Sequence, residues 1–217
     1  MMDGPDDRPA PPMVYIVDDD ATIRTSLSSL LRSVKLRAQA FSSLSDFLDA
    51  TMEDVPSCLL LDVRLRGESG LVFQGSVEDR PDIPIVIMTG YADVEMCRQA
   101  MKNGAIDFLA KPCSDHDVID AVHAALETDA QRRATRRVTA ALEFAYERLS
   151  VREREVLGLV VGGALNKQIA DRLGISLITV KVHRASVMRK MQASSLVDLV
   201  RMAEHMGIET SPLLPGV

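Results

Sequence analysis

Short apolar runs alternate with amphipathic stretches between residue 13 and about residue 128, and this alternation restricts the possible fold more than any other feature. Three of the runs, at 13–17, 58–61 and 84–88, are almost wholly apolar, which is typical of central strands covered by helices on both faces. The pattern predicts an α/β domain with a doubly wound, five-stranded parallel sheet, and for five strands we expect the common doubly wound order 2-1-3-4-5. The predicted strands are Met13–Val17, Arg37–Phe41, Cys58–Leu61, Pro84–Met88 and Ile106–Ala110.

Apolar residues at helical spacing fill the segments between these strands. They predict helices at 21–34, 43–51, 69–78 and 92–103. A fifth helix begins after Pro112, with Ser114 as its N-cap, and its pattern continues into a charged segment without proline or glycine. We therefore predict a helical linker over 129–148. The candidate packing stripe of this linker is Val138, Leu142 and Ala145 or Phe144.

The rest of the chain carries helical patterns alone and predicts an all-α, four-helix domain over 149–207. The predicted helices are 150–162, 166–173, 177–191 and 194–205. Gly174 lies where a helix-turn-helix requires a tight turn. In the third helix, apolar spacing predicts core positions at Ile178, Val182 and Val187 or Met188. Residues 1–12 are predicted to form a disordered tail, and residues 208–217 a second tail.

The net charge of −6 is distributed unevenly between these two parts. Residues 13–128 hold 10 Lys and Arg against 19 Asp and Glu, a difference of −9, whereas residues 151–207 hold 9 against 5, a difference of +4. The two parts therefore suit different partners, and the basic part suits a polyanion such as a nucleic acid.

The composition argues against a membrane, exported or disulfide-bonded protein. No apolar stretch approaches the roughly 18 residues that span a bilayer. Residues 1–12 have neither a basic start nor an apolar run, so we expect no secretory signal. Cys58, Cys97 and Cys113 are widely spaced, and the four histidines share no metal-ligand spacing. We expect a reduced, cytoplasmic protein without a histidine-based metal site.

Polar side chains follow four of the five predicted strands. Residues 18–20, all aspartate, follow the first strand, Asp62 the third, Thr89 the fourth and Lys111 the fifth. Because the carboxyl ends of parallel strands meet at one edge of a sheet, these residues are expected to form a single pocket. Carboxylates brought together repel one another unless a cation joins them, and Mg²⁺ suits carboxylates that also handle phosphate.

This pocket has the groups that phosphoryl transfer requires, which are mainly positioning groups and positive charge. Asp62 would be the nucleophile that accepts the phosphoryl group. Mg²⁺ and Lys111 would balance the charge of the phosphoryl oxygens, and the hydroxyl of Thr89 would donate a hydrogen bond to one of them.

Residues 13–128 resemble the receiver domain of bacterial two-component response regulators over their whole length. The positions that carry the resemblance are the acidic pair Asp18 and Asp19, the phosphorylated aspartate Asp62, the switch hydroxyl Thr89, the switch aromatic Phe108, and Lys111 within DFLAKP. The resemblance implies that Asp19 and Asp62, with Asp18 beside them, bind Mg²⁺ together with the backbone carbonyl of Arg64. It also implies a cis Lys111-Pro112 bond. One departure is Arg66, which occupies a position that is commonly proline.

In such a domain, a Thr89 hydroxyl drawn to the phosphoryl group leaves space into which the Phe108 ring turns. The reshaped face would lie on the helix at 92–103 and on the strand that ends at Ala110, and it would favour dimerisation or release of the second domain.

Residues 149 to about 205 resemble the LuxR-type, or NarL/FixJ-type, helix-turn-helix. The matching positions are Glu153, Leu157, Gly162, Asn166, Ile169, Ala170, Leu173, Ile175, Val180, Lys181 and His183. The resemblance implies that the third helix enters the major groove of promoter DNA, with dimers on paired half-sites. The candidate DNA-binding residues are Asn166, Thr179, Lys181, Arg184 and Arg189.

Together the resemblances imply a cytoplasmic response regulator of the FixJ-like branch. A sensor histidine kinase would phosphorylate Asp62, after which the protein would dimerise or free its helix-turn-helix. It would then bind promoter DNA and, acting with RNA polymerase, regulate transcription, with activation as the expected sign. Its catalysis would be limited to Mg²⁺-dependent self-phosphorylation and slow dephosphorylation.

The pocket residues also raise two other hypotheses. An enzyme of the haloacid-dehalogenase type also forms an aspartyl phosphate on an α/β sheet, but it needs an aspartate two residues after the nucleophile, where this chain has Arg64. A pseudo-receiver would dimerise constitutively and bind DNA without phosphate. The intact set of Asp19, Asp62, Thr89 and Lys111 argues against this second hypothesis.

Overall fold

The computed structural model describes residues 10–62, 64–65, 68–69, 83–90, 98, 101–102 and 104–208. The chain divides into two compact units, 1–133 and 134–217. Arg66 and nearly all of the predicted helix at 69–78 lie outside the described residues, as does most of the predicted helix at 92–103. Within the latter, Arg98, Met101 and Lys102 are helical.

The first unit contains a five-stranded, fully parallel sheet. Its strands are β1 (Met13–Val17), β2 (Arg37–Phe41), β3 (Ser57–Asp62), β4 (Ile85–Thr89) and β5 (Asp107–Ala110). They pair in the order β2-β1-β3-β4-β5, so the predicted order 2-1-3-4-5 is confirmed. The three apolar runs form the central strands β1, β3 and β4, which are buried almost throughout.

A short antiparallel hairpin follows β3 and was not predicted. Arg64–Leu65 pairs with Glu68–Ser69, and Arg64 lies opposite Ser69. The helix predicted near 69–78 is therefore wrong at Ser69, which is part of a strand. A strand of two residues is too short to show the alternation of apolar and polar residues by which strands are predicted from sequence.

Alternate residues of each central strand bury on opposite faces of the sheet, as the pleat requires. On one face, Tyr15, Leu59 and Ile87 pack with Phe47 of helix α2 (Leu44–Asp49). The residues between them pack on the other face against helix α1 (Ala21–Ser33) and helix α3 (Asp115–Glu147). Both faces are covered, which explains why these strands are nearly continuous apolar runs.

Helix α3 is 33 residues long and passes from the first unit into the second. Ser114 Oγ accepts a hydrogen bond from the Asp117 backbone N at 3.1 Å, which confirms the predicted N-cap. Residues 115–133 belong to the first unit. The helix then continues to Glu147, through nearly all of the segment predicted as a helical linker.

The predicted packing stripe of this helix is partly wrong. Leu142 and Ala145 pack against the core of the second unit together with Tyr146, whereas Val138 and Phe144 are exposed. Phe144 lies two residues from Leu142, about 200° around the helix, and therefore faces away from that core. Val138 shares the side of Leu142 but lies one turn before the core begins.

The second unit contains the four predicted short helices. They are α4 (Val151–Val161), α5 (Asn166–Leu173), α6 (Leu177–Lys190) and α7 (Leu196–His205). Their core is centred on Leu157, Ile169 and Val180, all fully buried. Gly174 ends α5 with a φ of 64°, a left-handed conformation that favours glycine, so the predicted turn is confirmed.

The predicted core face of α6 is wrong at two positions. Ile178 and Val182 are 75 % and 62 % exposed, whereas Val180, Val187 and Met191 are buried. The buried residues of this segment are therefore Val180 and the residues seven and eleven positions after it. Ile178 lies about 200° away from Val180 around the helix axis and faces outward. Apolar residues occur on both faces of α6, with Ile178 and Val182 outside and Val180 and Val187 inside, so the apolar pattern did not show which face is buried.

No helix within the described residues combines the length and the apolar character needed to cross a membrane.

A buried carboxylate joins α3 to the start of β3. Asp129 Oδ2 accepts hydrogen bonds from the Ser57 backbone N at 2.8 Å and from Arg133 Nε at 2.7 Å, and Arg133 also pairs with Asp54. Asp129 is almost fully buried. Its burial was not predicted, because the charged helix pattern gives no sign that one acidic residue turns inward.

We predict that Asp129→Ala destabilises the protein by about 1–3 kcal/mol, because the buried Ser57 amide loses its acceptor. Urea unfolding of the full chain measures the change. Glu127→Ala, which removes an exposed carboxylate from the same helix, serves as the control and should change the free energy of unfolding by less than about 0.5 kcal/mol. Equal effects of the two substitutions would contradict an anchoring role for Asp129.

Candidate functional site

The sheet register brings the predicted pocket residues together at the carboxyl edge. Val17 pairs with Leu61, so Asp18 and Asp62, the next residue of each strand, lie side by side. On the other side of β3, Asp62 pairs with Met88, and Thr89 follows. Thr89 in turn pairs with Ala110, the residue before Lys111. Strand pairing alone therefore accounts for the placement of all four groups.

An acidic cluster and one ammonium group form the centre of the pocket. Carboxylate oxygens of Asp18, Asp19 and Asp62 lie within 4.8 Å of one another. Lys111 Nζ lies 2.6 Å from Asp18 Oδ2 and 2.8 Å from Asp62 Oδ2 and donates to both. The Asp18 side chain is 3 % exposed and that of Asp62 is 12 % exposed, so Asp62 is the more accessible of the two.

Burial and hydrogen bonding shift the pKa values of Asp18 and Lys111 in opposite directions. Burial raises the pKa of the Asp18 carboxyl, and the hydrogen bond from Lys111 offsets only part of that rise. Burial lowers the pKa of Lys111, but its hydrogen bonds to Asp18 and Asp62 outweigh burial and leave the pKa above its usual value. Lys111 is therefore held as an ammonium ion between the two carboxylates.

The start of α1 fixes the position of Asp18. Asp18 Oδ1 accepts a hydrogen bond from the Asp20 backbone N at 2.8 Å, and the Asp18 carbonyl accepts one from Arg24 Nη1 at 2.6 Å. Asp20 caps the helix through the Thr22 backbone N at 2.7 Å. Arg24 was not among the predicted site residues, and its position in the first turn of α1 is the only sequence signal of this contact.

Thr89 and Phe108 share one face of the sheet. Thr89 is fully buried, and its carbonyl accepts a hydrogen bond from the Lys111 backbone N at 2.7 Å. Phe108 lies opposite Ile87, two residues before Thr89, and packs partly buried against the same core cluster. The Lys111-Pro112 bond is cis, as the resemblance implied.

The composition of the cluster fits a hard divalent cation. Three carboxylates and the Lys111 ammonium carry a formal charge of −2, from −3 and +1. The raised pKa of Asp18 indicates that Lys111 alone does not compensate the burial of that carboxylate. Mg²⁺ prefers oxygen ligands of this kind. Arg64, the candidate carbonyl ligand, lies in the hairpin two residues after Asp62.

The DNA-binding candidates lie around α5 and α6 of the second unit. Arg184 Nη1 donates to Asn166 Oδ1 at 2.6 Å, which joins the start of α5 to the middle of α6. Thr179 Oγ1 lies 2.8 Å from Ser176 Oγ, the capping group of α6. Lys181 and Arg189 are exposed. Two of the five predicted residues are therefore exposed cations, of which Arg189 also donates a long hydrogen bond of 3.5 Å to Ser186 Oγ. The other three take part in local hydrogen bonds.

A buried glutamate holds α6 against α4. Glu153 accepts hydrogen bonds from Lys190 Nζ and Ser186 Oγ, each at 2.6 Å, and from the Ser150 backbone N at 2.7 Å. The hydrogen bond from Lys190, followed by that from Ser186, lowers the pKa of Glu153 to about 2. Glu153 belongs to the helix-turn-helix pattern, but its position in the sequence did not reveal this role.

Comparisons with known proteins agree with both units. Residues 14–123 match the response regulator receiver domain, and residues 147–203 match the luxR family of bacterial regulatory proteins. The chain is 48 % identical over 200 residues to nodulation protein W of Bradyrhizobium diazoefficiens, covering 92 % of this chain and 88 % of that protein. It is 42 % identical over 196 residues to the transcriptional regulatory protein FixJ of Azorhizobium caulinodans, covering 90 % and 93 %.

The chain belongs to the NarL/FixJ family of response regulators. A solved structure of the response regulator StyR is similar to this one, with a TM-score of 0.82 and 41 % identity over 90 % of this chain and 99 % of that one. The family has a receiver domain and a LuxR-type DNA-binding domain, which implies a kinase partner and DNA. The predicted family and fold class are confirmed, and the haloacid-dehalogenase hypothesis is set aside.

We predict that Glu153→Gln destabilises this response regulator by about 1.5–3 kcal/mol at neutral pH, because Lys190 loses a charged hydrogen-bond partner. Since folding lowers the pKa of Glu153 from 4.5 to about 2, its contribution is present above pH 4.5 and is lost as pH falls toward 2. Urea unfolding at several pH values measures this.

The control is Glu155→Gln, which changes a neighbouring, exposed glutamate of the same helix. It should leave the acid dependence of unfolding close to that of the wild type, whereas Glu153→Gln should flatten it between pH 4.5 and 2. A Glu153→Gln variant with wild-type acid dependence would contradict the assigned network.

Proposed function

We propose that this response regulator accepts a phosphoryl group on Asp62 and thereby controls DNA binding by its helix-turn-helix. The observation that carries the proposal is the contact of Lys111 Nζ with Asp62 Oδ2 at 2.8 Å, within a cluster of three carboxylates at the carboxyl edge of the sheet. An ammonium group so close to a partly accessible carboxylate is suited to stabilise phosphoryl oxygens that become attached there.

Asp62 is favoured over Asp18 as the acceptor. Both oxygens of the Asp18 carboxylate are engaged, Oδ1 by the Asp20 backbone N and Oδ2 by Lys111, and its side chain is 3 % exposed. Asp62 is 12 % exposed and is the last residue of β3. Asp18 and Asp19 are therefore assigned to positioning and metal binding.

In the proposed reaction, a carboxylate oxygen of Asp62 attacks the phosphorus of a phosphohistidine on a sensor histidine kinase. The new O–P bond replaces the P–N bond, whose electron pair returns to the imidazole nitrogen and takes up a proton. Lys111 neutralises the phosphoryl oxygens as they approach the acidic cluster. Mg²⁺, held by Asp18, Asp19 and Asp62 with the Arg64 carbonyl, would add charge neutralisation when bound.

Thr89 and Phe108 are assigned to the switch. The Thr89 hydroxyl would donate a hydrogen bond to a phosphoryl oxygen, and the Phe108 ring, on the same sheet face, would turn into the space that Thr89 leaves. Their common face and their burial near Ile87 support this coupling. The reshaped face would favour a homodimer.

The proposed output is transcription control in the cytoplasm. Lys181 and Arg189 would contact DNA from the exposed side of α6, with Asn166, Thr179 and Arg184 supporting phosphate contacts. A dimer would bind paired half-sites and act, as an activator, with RNA polymerase. The chemistry of the chain itself would be limited to self-phosphorylation and slow dephosphorylation. A pseudo-receiver that works without phosphate remains the competing hypothesis.

We predict that acetyl phosphate with Mg²⁺ phosphorylates the wild type and converts it to a dimer, and that Asp62→Asn abolishes both effects. Intact-mass spectrometry and size-exclusion chromatography with light scattering measure them. Asp20→Asn, which retains a capping side chain beside the pocket, should behave as the wild type. Phosphorylation of Asp62→Asn to the wild-type extent would refute the assignment of Asp62 as the acceptor. Labelling of the wild type without dimerisation would refute the dimer switch.

We predict that Lys181→Ala weakens binding to a mixed-sequence duplex and lowers the slope of log affinity against log salt by about 1, the effect of one lost phosphate contact. Fluorescence anisotropy at several salt concentrations measures this. Arg201→Ala removes a cation from α7 instead and should retain the wild-type slope. An unchanged affinity and slope in Lys181→Ala would make Lys181 an ordinary surface charge.

A further inference from the structure

The outward face of α6 combines apolar and cationic side chains. Lys181, Val182, Ala185 and Arg189 follow Ile178 by three, four, seven and eleven residues, and all five are exposed. Residues at these spacings lie on one side of a helix and are neighbours on its surface. They therefore form one continuous stripe, called here the outer stripe of α6.

Exposure alone does not distinguish this stripe. Single exposed apolar residues are ordinary on protein surfaces, and Val197 of α7 is 61 % exposed. The distinction is the combination of two β-branched apolar side chains one turn apart, at 75 % and 62 % exposure, with Lys181 between them and Arg189 beyond. A surface that is both apolar and cationic fits a ligand that presents methyl groups next to negative charge.

The major groove of DNA is such a ligand. Its floor presents one apolar feature, the C5-methyl group of thymine, and its walls are lined by phosphates. The residues near the start of a recognition helix are those that reach base edges. Ile178 and Val182 are the second and sixth residues of α6, so both belong to its first half.

We propose that Ile178 and Val182 read thymine methyl groups in the major groove, while Lys181 and Arg189 bind phosphates or base edges around them. This inference rests on the proposed DNA contact of α6 and adds the base that is read. Side chains four residues apart on a helix are separated by about 5–6 Å, whereas base pairs rise by about 3.4 Å. The two thymines therefore lie one or two base steps apart in each half-site.

The competing occupant is a second copy of this chain that packs on the same apolar pair. Charge argues against it, because the outer stripe carries Lys181 and Arg189 and would face itself in a symmetric pair. DNA carries the opposite charge and removes this repulsion.

Replacement of thymidine by deoxyuridine in the DNA tests the inference, because the uracil base lacks only the C5-methyl group of thymine. The full-length protein, treated with beryllium fluoride and Mg²⁺, first selects its preferred sequence from a random duplex library. Each thymine of that sequence is then replaced singly by deoxyuracil, and affinities are measured for the wild type, Ile178→Ala, Val182→Ala and the control Val197→Ala. Thermal unfolding verifies that each variant is folded.

For the wild type and Val197→Ala, we expect one deoxyuracil at each of two nearby positions to weaken binding about fourfold, the effect of one unburied methyl group. Ile178→Ala should become insensitive at one of these positions and Val182→Ala at the other. The inference is overturned if the wild type is indifferent to every replacement, or if both alanine variants keep full sensitivity. It is also overturned if Ile178→Ala changes the oligomeric state without DNA.

Failure of the proposed function would look different. A library from which no sequence is enriched would refute sequence-specific DNA binding itself, and the thymine reading with it. An enriched sequence that is indifferent to deoxyuracil would leave DNA binding intact and refute only the reading of methyl groups.

Discussion

Parallel strand pairing is the constraint on which the first unit depends. Because β1, β3, β4 and β5 run in one direction, the residues that follow them open at one edge of the sheet. The pairing of Val17 with Leu61 brings Asp18 beside Asp62, and the pairing of Thr89 with Ala110 brings Lys111 to the same edge. Lys111 then joins two carboxylates that would otherwise repel each other. The site is thus a direct consequence of register.

Each unit contains a buried carboxylate in contact with a lysine, but burial and hydrogen bonding act on the two with opposite results. In the receiver, burial predominates and raises the pKa of Asp18. In the helix-turn-helix unit, hydrogen bonds from Lys190 and Ser186 predominate and lower the pKa of Glu153. The first arrangement leaves negative charge uncompensated, which suits a divalent cation. The second pairs the carboxylate with its hydrogen-bond donors and holds α4 and α6 together.

The sequence predicted the features that apolar pattern and strand order control. The central strands, their order, the Ser114 cap and the Gly174 turn follow from the chemistry of those residues. The phase of α6 was wrong, because apolar residues occur on both of its faces and Ile178 and Val182 lie outside. Asp129 and the contacts of Glu153 with Ser186 and Lys190 were missed, since they depend on partners distant in the sequence. Arg24 was missed because its partner is the backbone carbonyl of Asp18, six residues earlier, and a backbone contact leaves no side-chain pattern. The two-residue strands of the hairpin were too short to produce a periodic signal.

The hydrogen bond between Asp129 and the Ser57 amide makes the packing of the first unit measurable at one position. The amide of Ser57 donates to Asp129 at the start of the strand that ends in Asp62. That amide proton exchanges with solvent deuterium only when the carboxylate withdraws. Hydrogen exchange at this single position therefore measures how often α3 separates from the first residue of β3. A change in that exchange rate on phosphorylation would show that the pocket at one end of the six-residue strand β3 is coupled to helix α3 at the other end.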